Sequence, residues 1–526
     1  MAEFDGCYIL LWGILMFIKE IKIEKYKKLN NFKLKFNKVN NLHFNLSVLI
    51  GENGTAKTTI LQSIVNLLSK SAERNKMVDS YMMYEFDNDH LTGADYKLTL
   101  YSDPDKLPSK LIISSYTPVE KVYKQAKKSK VTLCPIIYSE MGISKLKTII
   151  GKYILENEGE TKKIYDIVNY IGYTPDQYFV EFNESILSRS TLETFSNSLQ
   201  SGDYDEILEG IIADLDISLD AGVKLVEFEG NILNYIDSLD SRTLRTKRNS
   251  VYYYMDIWNA ANNKGSKSKF THEQLKHVYI EFVYILQKIK LFSRANFETI
   301  NSYYKGSDQR LVHSSLLFKY FEGKLEFYKD LQFIMLFNKY VINDLWFVSQ
   351  ETQDLVPLSL WSSGELSLFL RLVEIATSVT NNSLLLIDEP ETHLHPRWIN
   401  SYIQILKDII DVSCHVIIAT HAPLIVSDIP NEGIVLLRRE GPLVKQSNIE
   451  ERTLGLDVED ILKKVFNVQE KEGTVLESYE KQILNALAKE DLDTAIELYD
   501  ELGDSPTKFD LFLKIKKLYE AGKSRE

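Results

Sequence analysis

From Phe17 the run FIKEIKIEKYKKLNNFKLKF alternates apolar and polar residues over Ile18–Ile23 and again over Phe32–Phe36, which predicts two paired strands. They lead through Leu42–Leu46 into an apolar stretch, Ser47–Ile50, suited to a buried strand. Beyond a tight turn the period becomes helical, with Ile60, Leu61, Ile64 and Leu68 on one face. Two further strands are expected at Tyr96–Tyr101 and Leu111–Ser115. From about Pro118 to Val341 the chain is tyrosine-rich and helical in period: Ile164, Ile167 and Ile171, then Ile207, Ile211 and Ile212, then Val278, Phe282, Ile285 and Ile289, then Leu316, Phe318, Phe321 and Leu325. So long a stretch is no loop, and a helical insertion is the expectation.

The earlier pattern resumes at Asp344. A strand-like LWFVSQ precedes LSLWSSGELSLFLRLVEIA, in which a Ser-Ser-Gly turn opens an amphipathic helix carrying Leu366, Phe369, Leu370 and Val373. Ser383–Ile387 is a short buried strand ending in Asp388-Glu389-Pro390. A helix from Pro396 carries Ile399, Ile403, Leu406 and Ile410, His415–Ala419 is a strand ending in Thr420-His421-Ala422-Pro423, and Ile434–Leu437 is another. Strands alternating with helices, with polar residues at strand carboxyl ends, imply an α/β fold: a mixed, mostly parallel sheet flanked by helices, with its ligand site at those ends. The tail reads as short amphipathic helices at Leu454–Phe466, Val475–Leu487, Leu492–Leu502 and Phe509–Leu518, suited to packing or oligomerisation. The expected division is a leader (1–15), an N-terminal half of the α/β head (16–117), the helical insertion (118–340), the C-terminal half of the head (341–440) and a helical C-terminal region (441–526).

Composition narrows this picture little. With 526 residues, 44% hydrophobic and 26% charged, the chain is ordinary for a globular protein of two or three domains. Its net charge of -12 argues against a uniformly basic nucleic-acid binder, though not against a local basic groove. Two basic clusters, Lys124, Lys127, Lys128 and Lys130, then Arg242, Arg245, Lys247 and Arg248, are either solvated faces or contacts to nucleic acid or a partner. Cys7, Cys134 and Cys414 form no disulfide framework and no metal-ligand spacing, which fits a reducing cytoplasm. The apolar run Cys7–Ile18 is too short to span a bilayer and follows acidic Glu3 and Asp5 rather than basic residues, so it reads as a non-native or upstream leader rather than a targeting signal, with Met16 opening the folded part.

The chemistry concentrates at VLIGENGTAKTTILQSI (Val48–Ile64). A strand entering a glycine turn and leaving through Lys-Thr-Thr into a helix is the grammar of a phosphate-binding loop. Backbone N–H groups at the helix N-terminus wrap a polyphosphate, the lysine reaches its terminal phosphates, and a threonine hydroxyl holds magnesium. Ala56 stands where the pattern G-x-x-x-x-G-K-[ST] has its second glycine. A Cβ there is expected to perturb the loop's approach to phosphate without abolishing binding, and to slow hydrolysis. Downstream come the Ser362–Glu365 turn, Asp388-Glu389 after an apolar strand, and His421 after another. A phosphoryl-transfer site needs a cation, a metal and a carboxylate at short range, and this series supplies them.

In that order the motifs resemble the ATP-binding-cassette (ABC) ATPases found in chromosome-maintenance and overcoming-lysogenization-defect (OLD) proteins, over Phe17–Ser115 and Asp344–Leu437. The resemblance implies an ABC-type ATPase head with ATP and Mg2+ as cofactors, and a homo-dimer or higher oligomer in which two heads sandwich two nucleotides. Asn53, Gly54, Thr55, Ala56, Lys57, Thr58 and Thr59 would form the nucleotide loop, with Lys57 the main cation. Thr58 and Asp388 would hold the metal, Glu389 would act as the base on attacking water, and His421 would contact the γ-phosphate. Ser362, Gly364 and Glu365 would form a signature turn acting on the facing subunit's nucleotide, with Ser363 where the family has the first of two glycines. The glutamine loop has only Gln125 as a candidate.

A narrower resemblance rests on Glu391-Thr392-His393-Leu394-His395-Pro396, similar to the E-x-H-L-H-P run of OLD-like ATPases, and on the tail TLGLDVEDILKKVF, similar to the PtuA ATPases of Septu-type and retron-associated antiphage systems. His393 and His395 read either as a metal pair or as a dimer-contact turn. Asp491 and Asp493 have the spacing of a Toprim nuclease but lie in a helical pattern, so the chain is not expected to cut nucleic acid itself. The resemblance implies a PtuA-like ATPase regulating a separate HNH-type nuclease (PtuB-like) in antiphage defence, with retron RNA or DNA or another nucleic acid as a further partner and no membrane. A DNA-repair or chromosome-maintenance ATPase is an alternative, but the insertion shows no sustained heptad. A transporter subunit would be shorter and need a membrane partner. A non-hydrolysing, ATP-clamped oligomeric scaffold remains a third reading.

Overall fold

The alternating N-terminal runs pair as their pattern requires. β1 (Met16–Tyr26) and β2 (Leu29–Lys35) lie antiparallel with Ile23 opposite Phe32 and Ile21 opposite Leu34. Ile21, Ile23, Phe32 and Leu34 are buried, while Lys33 and Lys35 face out, the two-faced arrangement that period-2 alternation dictates. With β4 (Tyr81–Phe86) and β5 (Ala94–Leu98) they form an antiparallel sheet in the order β2-β1-β4-β5. The computed structural model describes residues 16–39, 44–69, 80–86, 94–98, 107–115, 134–138, 158–214, 257–262, 265–302, 304–320, 323–449, 452–466, 474–489 and 491–523. The leader 1–15 with Cys7, the glutamine-loop candidate Gln125, and the clusters Lys124, Lys127, Lys128, Lys130 and Arg242, Arg245, Lys247, Arg248 lie outside the described residues.

The central sheet has seven strands in the order β16-β15-β3-β14-β13-β6-β7. They are β3 (Asn45–Ile50), β6 (Leu111–Ser115), β7 (Ile136–Tyr138), β13 (Leu384–Asp388), β14 (His415–Ala419), β15 (Ile434–Glu440) and β16 (Leu443–Ser447). All neighbours are parallel except the β15–β16 hairpin. Every residue of β3, β13 and β14 is buried, which is why these strands read as continuous apolar runs rather than alternating ones. The strand β16 escaped the sequence reading because only Val444 of its five residues is buried.

Register places the chemistry. Ala419 pairs with Leu49 on one side and with Asp388 on the other, and Asp388 pairs with Ser115. The residues that follow these strands therefore emerge along one edge of the sheet, at its carboxyl end. The nucleotide loop after β3 runs into helix α1 (Lys57–Leu67), whose Ile60, Leu61, Ile64 and Val65 join the core shared by the two sheets.

The remaining strands form a third, antiparallel sheet, β12-β11-β8-β10-β9, made of β8 (Tyr173–Phe182), β9 (Glu298–Ser302), β10 (Ser307–His313), β11 (Ile342–Ser349) and β12 (Leu355–Pro357). β8 to β10 fall among the helices α2 (Glu158–Ile171), α3 (Arg189–Ser201), α4 (Asp205–Asp214), α5 (His272–Asn296) and α6 (Lys324–Leu336). Of these, α2, α4 and α5 lie where the sequence has its helical period, whereas Leu316 and Phe318 lie in a short 3-10 helix, Ser314–Lys319, with Phe318 and Leu325 exposed rather than on a buried face. The patterns of the strands are weak. Only Tyr173, Tyr178 and Val180 of β8 and Ser302 of β9 are buried, so no alternation long enough to announce a strand exists. After β12 come α7 (Ser363–Ser378), α8 (Pro396–Asn400) and α9 (Tyr402–Ile409), the last two being the helix expected from Pro396, interrupted at Ser401.

The chain divides into two compact units at Gly455/Leu456. In the second, helices Thr474–Ala488, Leu492–Asp500 and Pro506–Lys523 share a small core of Ile483, Ala486, Leu487, Ala495, Leu511 and Ile515.

One buried histidine ties the first two sheets together. His415 Nδ1 accepts the backbone N–H of Ile18 in β1 at 3.1 Å, and its Nε2 lies 2.9 Å from the Ser47 hydroxyl in β3. Because Nδ1 must accept, the ring is the neutral Nε2–H tautomer, donating to Ser47. Phe17 and Phe36 pack against it at 5.0 and 5.6 Å between ring centroids. Burial pushes the His415 pKa down to about 3. The unfolded chain therefore binds a proton that the folded chain refuses between about pH 3 and the ordinary histidine pKa near 6.5, so this contribution is intact above about pH 6.5 and is lost as pH falls below it. His415→Gln should flatten the stability-against-pH slope between pH 6 and 4 by up to about 1.4 kcal/mol per pH unit, measured by denaturant unfolding. His415→Ala should cost about 2–4 kcal/mol at pH 8, because two buried polar groups lose their partner.

Candidate active site

The nucleotide loop is built on backbone geometry that few residues tolerate. Gly51 has φ +151°, and a Cβ on it would stand 2.4 Å from the Leu437 carbonyl oxygen of β15, so only glycine fits between the strands. Gly54 has φ +87° with open space around it. Ala56, the residue before α1, is left-handed at φ 68°, ψ 22°. A left-handed L-residue costs roughly 1–2 kcal/mol, so the family's glycine is explained by the sign of φ here and not only by close approach to phosphate. Asn53 and Gly54 are exposed, Thr58 and Thr59 half-buried, and Thr55 is buried with its hydroxyl donating to the Glu52 carbonyl at 2.8 Å, where it closes the turn.

Lys57 is buried and folded back across the loop. Its ammonium donates to the carbonyls of Gly51 at 2.6 Å and Glu52 at 3.3 Å. Burial lowers its pKa from the ordinary lysine value, opposed by the charges of Glu389, Glu391 and Asp388. Those acids come from the end of β13, so the loop lysine and the acidic turn belong to one electrostatic group.

Thr58 donates its hydroxyl to Asp388 Oδ1 at 3.1 Å, joining residues 330 positions apart. Asp388 is buried, and its Oδ2 has no partner among the described residues. Burial, and next the Glu389 charge beside it, push its pKa up to about 7. A hydroxyl oxygen and an orphaned carboxylate oxygen are hard donors of the kind magnesium takes, so these two residues fit that ion. Glu389 stands at φ 50°, a strained conformation for a residue with a side chain, held by its N–H to the Ala419 carbonyl at 2.8 Å. The His421 ring is half-exposed, with Nδ1 3.2 Å from Glu391 Oε1 and 3.9 Å from Glu389 Oε1.

The signature residues form a separate constellation. Ser362 caps α7: its hydroxyl accepts the Glu365 N–H at 3.3 Å, and the Glu365 carboxylate accepts the Ser362 N–H at 2.7 Å. Tyr173 of β8 donates to Glu365 at 3.2 Å and stacks on Trp361 with centroids 4.0 Å apart. Gly364 is buried, and a Cβ on it would lie 2.8 Å from the carbonyl oxygen of His393, itself left-handed at φ 67°. The E-x-H-L-H-P turn and the signature turn are thus packed together, with glycine required at the contact.

His395 Nδ1 accepts the Arg397 N–H at 3.2 Å and caps α8, and no group of three or more metal-ligating side chains occurs among the described residues. Asp491 caps Leu492–Asp500, accepting from Thr494, so its side chain has a helical role. Sequence reasoning passed over Glu391 and Tyr173 as working residues; the signals for Glu391 were its place two residues after Glu389 and at the head of the E-x-H-L-H-P run. Ala56→Gly should stabilise the nucleotide-free protein by about 0.5–1 kcal/mol in denaturant unfolding, the left-handed strain relieved minus the added freedom of the unfolded chain.

A 108-residue stretch is 33% identical to protein ea59 of Escherichia phage lambda, covering 20% of this chain and 20% of that protein. Among solved structures, the Smc head domain with an extended coiled coil bound to the C-terminal domain of ScpA, derived from Pyrococcus furiosus, aligns at 12% identity over 82% of this chain and 96% of that one, with a TM-score of 0.30. The SmcHead bound to the C-winged helix domain of ScpA aligns at 10% identity over 82% and 98%, with a TM-score of 0.27. The AAA ATPase domain model matches residues 16–426, which takes in the nucleotide loop, the signature turn, the acidic pair and His421. The chain therefore belongs to the AAA ATPase domain family.

Proposed function

We propose that the protein is a Mg2+-dependent ATP hydrolase. The observation that carries this is the Thr58–Asp388 hydrogen bond at 3.1 Å, with Asp388 Oδ2 left unpartnered beside it. It joins the end of the nucleotide loop to the acidic strand end where a phosphate-bound metal belongs. In this reading Asn53 to Thr59 cradle the phosphates, and Lys57 leaves the Gly51 and Glu52 carbonyls for the β- and γ-phosphates. Thr58 and Asp388 hold magnesium, which when bound neutralises phosphate charge. Glu389 orients and deprotonates the attacking water, and His421 meets the γ-phosphate. Ala56 slows the cycle by making the loop costly to order, so that ATP is held longer than it is cleaved.

The signature turn acts in trans in a homo-dimer or higher oligomer. Ser362 and Ser363 are exposed at the start of α7, which supports their meeting a second subunit. The biological role we assign is control of a separate HNH-type nuclease in antiphage defence, as in PtuA-like Septu and retron systems. Its support is the E-x-H-L-H-P turn and the helical tail, together with the capping role of Asp491, which takes that residue out of a Toprim-like pair.

Glu389→Gln should bind ATP within about threefold of wild type and lower kcat by at least about 100-fold, because it removes the base and keeps the cradle. Equal turnover by both proteins would exclude hydrolysis by this site and leave the scaffold reading. Co-purification with the products of neighbouring genes should recover an HNH nuclease in at least one nucleotide state. Recovery of the homo-oligomer alone in every state would count against the defence role.

A further inference from the structure

Glu391 is buried to 8% side-chain exposure yet pairs with no lysine or arginine among the described residues. Its carboxylate lies at the turn after the acidic pair, which is closed by Thr392 N–H to Glu389 O at 3.1 Å and Leu394 N–H to Glu391 O at 3.1 Å. From there it reaches the end of the neighbouring strand. A single oxygen, Oε1, accepts the Thr420 hydroxyl at 2.8 Å and the His421 backbone N–H at 2.8 Å, and faces His421 Nδ1 at 3.2 Å. The network extends one step further, since Thr420 Oγ1 accepts the Ala422 N–H at 3.0 Å. The other oxygen, Oε2, is buried with no partner among the described residues.

A structural carboxylate in so dry a place would be expected to engage both oxygens, because an unsatisfied buried acceptor costs free energy. Glu391 instead concentrates its bonds on one three-residue loop, and that loop carries the histidine. Glu391 Oε1 also stands 3.2 Å from the ring, which singles out one nitrogen: Nδ1 faces Glu391, and Nε2 has no partner among the described residues. In a histidine the partner of one nitrogen decides what the other can do.

We propose that Glu391 is the positioning residue for His421. From the turn after β13 it clamps the backbone of the loop after β14 and faces its ring, so that Nε2 is the nitrogen offered to the γ-phosphate. The assignment rests on the ATP-hydrolase reading for its catalytic consequence, but the clamp itself is a matter of hydrogen bonding alone.

The tests use the full chain. Glu391→Ala should lower kcat by about 10- to 100-fold with the dissociation constant for a fluorescent ATP analogue within about threefold. Glu391→Gln keeps an oxygen able to accept from Thr420 and the His421 N–H and to face Nδ1, and should stay within about fivefold of wild-type kcat. If Glu391 acts through His421, the pair Glu391→Ala with His421→Ala should be no slower than His421→Ala alone. Equal damage from Gln and Ala, or multiplicative loss in the double variant, overturns the proposal. Hydrogen exchange separates it from the hydrolase reading. The His421 and Ala422 amides should exchange at least about tenfold faster in Glu391→Ala and at the wild-type rate in Glu391→Gln. Exchange unchanged by Glu391→Ala overturns the clamp, whereas a wild type that binds ATP without cleaving it overturns the hydrolase reading and leaves the clamp to be decided by exchange alone.

Discussion

The arrangement depends on one constraint: three fully buried parallel strands, β3, β14 and β13, held in a register that pairs Leu49 with Ala419 and Ala419 with Asp388. Each strand is buried along its whole length and mostly apolar, and the chain turns polar at its end or within two residues of it. The side-chain period of a strand is two, so a slip of one residue would turn Asp388 to the opposite face and separate it from Thr58. Burial on both faces makes such a slip expensive. Each fully buried aliphatic side chain in these strands contributes about 1.5–3 kcal/mol, and all of them would have to find new neighbours. The position of the candidate active site is therefore a consequence of the core. His415, fixed between β1 and β3, adds a polar lock to the same register.

Much of this was legible in the sequence because the same physics writes both. Asp388, Glu389 and His421 stand out as charged or polar residues at the ends of apolar runs, and Lys57 as the residue that leaves the glycine turn after one; parallel strands deliver such residues to a common edge. Helices with a long single apolar face, such as α5, were equally plain. The unread parts had weak or ambiguous patterns. β9 is mostly solvent-exposed and β10 buries only the adjacent pair Leu311 and Val312, so no hydrophobic period marks them. His415 looks like the polar start of a strand, and only the structure gives it two buried partners. Glu391 was visible as part of a motif, but its partners lie 29 and 30 residues away in the loop after another strand. For Ala56 the sequence identified the right position with an incomplete cause, since φ is a property that a one-letter code does not carry.

The two groups of functional residues are organised differently. The loop, acidic turn and His421 are linked by charge and hydrogen bonds around Lys57, Asp388 and Glu391. The signature turn is fixed by capping and by contact: Ser362 and Glu365 cap each other, Tyr173 ties the turn to β8, and Gly364 lies against His393. Since His393 follows Glu391 by two residues, one short segment touches both groups. A strained Glu389 at one end of that segment and a left-handed His393 at the other mark it as backbone held in shape by its surroundings.

The central claim is that register brings Thr58 and Asp388 into one metal and nucleotide site. It is tested most directly by the magnesium dependence of ATP binding in wild type and Asp388→Asn, followed with a fluorescent analogue. The account predicts that magnesium tightens binding to wild type by at least about tenfold and that Asp388→Asn loses most of that gain while binding metal-free ATP as before. An Asp388→Asn protein that keeps the full magnesium gain, or a wild type that shows none, would contradict it.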